Sequence, residues 1–192
     1  MSEKCYGHFF PGRVFFLLLV VFIGVGFLGY AFALFNGSTA LNLTKAIAQR
    51  IGPLYGSSFK NFLKIFTNNV SVAFIMMISG LFFGLGPWFI MAFNGFIVGV
   101  VVRVVQGVRG FPMERILLGL LPHGVFEIPA LALAGTAGIV WYREIMRGGD
   151  GAGERFREGA LKALKLFAAS VVLLLIAAFV EAYITPRLAG LG

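Results

Sequence analysis

The sequence predicts an all-α bundle of about five membrane-spanning helices, one of them kinked or broken at Pro122 and Pro129, plus an interfacial amphipathic helix. Three observations lead there. Of 192 residues, 59% are hydrophobic and 12% charged, with a mean hydropathy of +0.91, whereas soluble domains are roughly 45–50% apolar and about 25% charged. Apolar runs long enough to cross a hydrocarbon core of roughly 30 Å recur along the chain. Most of the charges fall between those runs. A soluble fold of this composition would lack the polar surface to cover itself, which excludes a free soluble enzyme, a disordered tail and, with Cys5 as the sole cysteine, a disulfide scaffold. Cys5 and His8 have ligand-like spacing but make a poor metal site at a chain terminus.

Taken in order, Lys4 and Arg13 precede the apolar run Val14 to Phe35. That run exceeds the 7–15 residues of a cleavable h-region and reads as a retained first span, about 13–35. Asn36-Gly37-Ser38 ends it with turn-forming residues. In the connection that follows, Leu43, Ile47, Ile51 and Leu54 recur at helical spacing until Gly52-Pro53 breaks the pattern. Phe59, Phe62, Leu63 and Phe66, beside Lys60 and Lys64, predict an amphipathic helix in the headgroup plane that feeds the second span. No charge occurs from Val70 to Val102. One helix of that length would run roughly 50 Å, so the chain must turn, and Gly84, Gly86 and Pro87 mark the place. Spans two and three are therefore expected at about 68–85 and 88–105, with a re-entrant pair as the alternative.

The fourth span, about 116–142, contains Pro122 and Pro129, each of which removes a backbone donor. A basic stretch from Arg143 to Lys165 precedes span five, about 166–184, which Thr185-Pro186 ends. The whole of 1–192 reads as one membrane domain with its termini on opposite sides. The net charge of +8 serves topology and anionic headgroups before it suggests nucleic acid, which is not expected as a partner. The dense basic loop between spans four and five predicts a cytoplasmic N-terminus in the cell membrane.

Polar side chains inside apolar runs carry most of the information, because burying a charge there costs at least roughly 2.5–3.5 kcal/mol. The ionisable ones are His123, Glu127 and Glu181; the neutral ones include Asn68, Asn69, Asn94 and Thr136. His123 and Glu127 lie at i, i+4 just past Pro122, which suits the first turn of a half-helix. Three readings are open for this pair: a structural hydrogen bond, a proton or ion relay, or metal ligation completed by Glu181 and Asn94. Glu181 itself reads either as an interface residue in water or as paired with His123 or with a helix-end arginine such as Arg103. No HExxH, nucleophile elbow, phosphate loop or Ser/Lys dyad is present, so neither an enzyme nor a cofactor is expected. Ser71, Ser79 and Ser170 read as serines bonded back to their own helices.

Small residues recur every fourth position: Gly80 and Gly84, Gly95 and Gly99, then Ala130, Ala134 and Gly138. Such rows let helix backbones approach closely and predict tight packing and a homodimer. Gly124 joins them as a helix-packing residue.

Several segments are familiar. Leu121-Pro122-His123-Gly124-Val125-Phe126-Glu127-Ile128-Pro129-Ala130 resembles the PHGxxE(I/L)PA signature of the stage II sporulation protein M family. Phe66-Thr67-Asn68-Asn69 with Gly80 and Gly84, Asn94-Gly95 with Gly99, and the closing ExxxTP at Glu181 to Pro186 agree in order. The resemblance covers roughly Phe59 to Pro186. It implies a multi-pass membrane protein and nominates Asn69, Asn94, Gly95, His123, Gly124, Glu127 and Glu181. Namesakes in endospore formers hold cell-wall-remodelling partners at the membrane during engulfment. The leading expectation is thus a non-enzymatic membrane scaffold that docks other membrane or envelope proteins through the bundle and the Asn36–Thr67 connection. The alternative is a small-solute or ion transporter or channel with a polar midplane site at His123 and Glu127.

Overall fold

The computed structural model describes residues 11–51, 58–148 and 151–188. Seven α-helices account for nearly all of them: α1 Pro11–Phe35, α2 Gly37–Ile51, α3 Ser58–Ser79, α4 Gly86–Arg109, α5 Met113–Met146, α6 Ala152–Phe179 and, after a π-helical turn at Val180–Ile184, the short α7 Thr185–Leu188. Cys5, His8 and the Gly52-Pro53 break lie outside the described residues. Five stretches are long and apolar enough to cross a membrane: α1, α3, α4, α5, and α6 continued through α7.

The spans alternate in direction, and the contacts fix the register. A side chain at Gly95 would meet the Phe22 carbonyl and one at Gly99 the Gly26 carbonyl, a constant offset that makes α1 and α4 parallel. Ser170 donates to Ala130 O at 2.7 Å while Lys162 donates to Glu144 at 2.8 Å, so α6 runs antiparallel to α5. The N-terminal end of α1 and the α5–α6 hairpin therefore share one side of the bundle. Helix α2 and the C-terminal α7 occupy the other.

α5 is the central helix. Its 34 residues span about 51 Å, and from Ala130 to Val140 only Leu133 is not fully buried. A helix surrounded on all sides must be apolar or small all round, as this stretch is. Gly135 lies at the crossing point, where a Cβ would meet Leu18, Met76 and Pro87 at 3.0–3.1 Å. Leu18, Met76, Met91 and Leu174, all fully buried, fill the space around it. Outward faces are apolar too: Phe16, Phe27 and Phe35 of α1 are 65%, 73% and 86% exposed, a lipid-facing surface rather than a wetted one.

The structure corrects several expectations. α5 runs through Pro122 and Pro129 without a break, so Pro122 does not open a half-helix; the helix begins at Met113. The chain stays helical although two backbone donors are missing. Phe59 to Phe66 is not a separate helix in the headgroup plane but the first turns of α3, and span two begins at Ser58 instead of about 68. The distinct amphipathic helix is α2, one residue beyond α1. Its Ala40, Leu41 and Leu43 pack on Ala33, Val100 and Val104, while Asn42, Lys45 and Gln49 face outward. The α3–α4 turn falls at 80–85, with Phe83 at φ 55° and Gly84 at φ 71°. Gly84 is thus a left-handed turn residue.

The small-residue rows are spent within the chain. Gly80 and Gly138 bring α3 and α5 backbone to backbone, and Gly95 and Gly99 seat α4 against Gly26 and Gly29 of α1. They are not the surface on which a second copy would pack. Ala134 is fully buried, but a Cβ at Gly124 would meet just Ile128 Cδ1 of its own helix, at 3.8 Å. Gly124 therefore makes no close interhelical approach.

Candidate functional site

One cavity of about 450 Å³ gathers residues from α3, α4, α5 and the π turn. Its lining includes Lys64, Asn68, Asn69, Asn94, His123, Glu127 and Glu181, interleaved with Ile65, Val72, Val98, Leu120 and Leu131. All five residues expected to form a polar intramembrane cluster face this space. Asn68, one of the neutral polar residues picked out in the sequence, lines it too, and Lys64 joins them. The sequence puts Lys64 on an interfacial helix because Phe59, Phe62, Leu63 and Phe66 recur at helical spacing beside it.

Helix register places the cluster within the candidate spans. Gly80 meets Gly138, and the same eleven residues back along the parallel helices α3 and α5 stand Asn69 and Glu127. At 1.5 Å per residue both lie about 17 Å from that contact, toward the side that carries α2. The cavity extends from Val72 and Leu131 at its floor to Lys64 and Leu120 toward the side that carries α2. Beyond the floor come Met76, Met91, Leu18 and Leu174, fully buried and dry. The cavity therefore has one polar end and one sealed end.

The side chains within it are arranged by local bonds. Asn94 donates its amide to Ile90 O at 2.8 Å, which leaves Oδ1 as a spare acceptor. Asn68 donates to Asn69 Oδ1 at 3.2 Å. His123 Nδ1 lies 3.4 Å from Thr185 Oγ1, a long contact to a buried hydroxyl. The π turn is what brings α6 into reach. Pro186 lacks the N–H that would close an α-helical bond to Ala182, and Thr185 N–H bonds instead to Val180 O. The widened turn carries Glu181 to the cavity wall and Thr185 to His123.

Donor atoms of His123, Glu127 and Glu181 all lie within 4.8 Å of one another. A hydrogen bond between His123 and Glu127, one of the readings open from the sequence, is not formed, and among the described residues neither carboxylate has a hydrogen bond or ion pair. Arg103 does not serve Glu181: it lines a separate cavity of about 330 Å³ beside Ala33, Gly37 and Ser38, at the α1–α2 junction. Thr136 bonds back to Ala132 O, and Ser71 and Ser79 to Thr67 O and Met76 O. Ser170 departs from that pattern by crossing from α6 to α5.

Five apolar helices around a recessed polar cavity define a multi-pass α-helical membrane protein. The chain belongs to the stage II sporulation protein M family, whose model matches residues 14–186. It is 38% identical over 131 residues to the uncharacterized protein MJ0793 of Methanocaldococcus jannaschii, covering 67% of this chain and 73% of the relative. It is 29% identical, also over 131 residues, to MJ0706 of the same organism, covering 66% of this chain and 56% of the relative. No solved structure matches.

Proposed function

We propose that the protein is a non-enzymatic membrane protein that binds a small cationic solute in the α3–α4–α5–α6 cavity and passes it across the cell membrane. One observation carries this reading: two carboxylates and an imidazole converge in the apolar layer without answering one another. Ionisable groups within membrane spans are expensive, and they commonly mark an ion or solute path. A purely structural cluster would bond internally, leaving no room for a ligand. The sealed floor beyond Leu131 gives such a path a closed end. Alternating access would require that plug to open.

The test is flux in proteoliposomes of the full chain, with proton entry read by entrapped pyranine and divalent-cation entry by an entrapped chelating dye. Flux above that of empty vesicles, lost in Glu127→Gln while elution and melting stay unchanged, is the expected result. Equal leak in wild type and variant would overturn the proposal.

A scaffold is the second reading. Family membership favours it, as does α2, which presents Asn42, Lys45 and Gln49 outward on the side where the cavity has its polar end. In this reading the docking surface is α2, and the N-terminus and the basic α5–α6 hairpin lie in the cytoplasm.

A further inference from the structure

The cluster at the cavity wall poses a charge problem. Glu127 and Glu181 approach within 4.8 Å of each other and of the His123 ring, in surroundings of low dielectric. Two like charges so placed repel strongly unless one carboxyl holds a proton or positive charge comes between them. Lys64 lines the same cavity, toward its polar end.

We infer that His123, Glu127 and Glu181 form a binding site for one divalent transition-metal cation of the zinc class. This deepens the binding reading above and rests on it. If all three donor separations are no more than 4.8 Å, the centre of the triangle is at most about 2.8 Å from each donor. Zinc bonds to imidazole and carboxylate are about 2.0–2.2 Å. Closure therefore needs a movement of about 0.7 Å per donor, well within the rotamer reach of two glutamates. The donor set selects the ion. Magnesium and calcium prefer all-oxygen shells of six or more ligands, whereas one imidazole with two carboxylates suits zinc, iron, cobalt or manganese. Two carboxylates also neutralise a dication, while a monovalent ion would leave one negative charge in the apolar layer.

The surroundings complete the site. When His123 Nδ1–H donates to Thr185 Oγ1, Nε2 presents its lone pair, the arrangement that outer-shell partners impose on metal-binding histidines. Asn94, with its amide committed to Ile90 O, offers a neutral oxygen on the same cavity. Three protein ligands leave at least one coordination position for water or cargo.

The test uses the full chain in detergent, dialysed against EDTA and titrated with Co²⁺, whose visible absorption reports a low-symmetry nitrogen and oxygen site. One Co²⁺ per chain is expected, displaced by one Zn²⁺ and not by a hundredfold excess of Mg²⁺. His123→Ala and Glu127→Gln should each weaken binding at least tenfold. Glu181→Gln, nearly isosteric, provides a variant that keeps the fold. Co²⁺ and Zn²⁺ binding no stronger in wild type than in a folded triple variant (H123A, E127Q, E181Q) would overturn the inference, as would equal displacement by Mg²⁺. Stoichiometric metal without flux in vesicles would defeat the transport reading and leave the site standing. Glu127-dependent proton flux in a protein that takes up no metal would do the reverse.

Discussion

Replacing Gly99 by alanine tests whether the α1–α4 seam is held by backbone contact. A Cβ there would fall 2.8 Å from Tyr30 N and 2.9 Å from Gly26 C, and closer still to Gly26 O. These are backbone atoms with no flexible end to swing aside. Ordinary contact starts near 3.4 Å, so the helices must part by about half an ångström or more. Overpacking of this kind costs about 1–3 kcal/mol. Gly24→Ala is the control: it lies inside α1 with nothing within 4 Å of its Cβ. Both changes gain the same intrinsic helix term of about 0.5–1 kcal/mol, so their difference isolates the packing term. For a chain of this size 1 kcal/mol shifts the melting temperature by roughly 2–4 °C, and the two variants should differ by about 2–12 °C. Tryptophan fluorescence suits the assay, because Trp88 packs on the central core and Trp141 beside the α5–α6 seam. The displacement also pulls on the Tyr30–Gln106 hydrogen bond of 2.7 Å, so Gly99→Ala and Tyr30→Phe should combine less than additively. Melting curves that coincide for Gly99→Ala and Gly24→Ala would refute the reasoning.

Further outcomes are expected at other positions. Thr185→Val removes the partner of His123 and should weaken Co²⁺ binding about 10- to 100-fold without shifting stoichiometry; unchanged affinity would detach Thr185 from the site. Ser170→Ala deletes an interhelical bond of 2.7 Å and should lower stability by about 0.6–1.7 kcal/mol in a chemical-denaturation curve, with no loss counting against that bond. Glu144 bridges Arg147 at 3.0 Å and Lys162 at 2.8 Å, so Glu144→Gln should cost about 1 kcal/mol or less at low salt and nothing measurable in 1 M NaCl. A salt-independent loss would mean that packing, not charge, dominates there. Cys5, the sole cysteine, should react with a membrane-impermeant maleimide only after cells are lysed; labelling of intact cells would reverse the proposed orientation.

The fold was legible where one signal dominates. The uncharged stretch from Val70 to Val102 cannot be a single span, and Gly84 to Pro87 has the turn chemistry that divides it. The five polar positions were legible because apolar runs make any polar residue conspicuous. What could not be read depends on neighbours. Lys60 and Lys64 mark a membrane boundary in sequence, yet they ride on α3 itself, with Lys64 turned toward a polar cavity. Pro122 and Pro129 predict a kink or a break, yet α5 stays helical through both. Gly26 and Gly29 were missed because their spacing fits no four-residue row, and their purpose is visible only against Gly95 and Gly99. The π turn had a local signal in Thr185-Pro186, read there simply as a stop.

These misreadings share a physical origin. A polar or helix-breaking residue in a membrane segment is costly only if lipid is its neighbour, and here the neighbours are other helices. The central α5 exchanges bulky side chains for alanine and glycine from Ala130 to Gly138, so that four helices can close upon it and form a dry plug. Toward the side of α2 the same helix carries His123 and Glu127, α3 carries Asn69, and the π turn swings Glu181 inward. The plug and the cavity are thus two halves of one packing solution. The close contacts at Gly80, Gly135 and Gly138 hold α3 and α5 together some 17 Å from the cavity that Asn69 and Glu127 both line. A change in helix separation at the glycines must alter the width of the polar site, which ties the stability of the bundle to whatever the site binds.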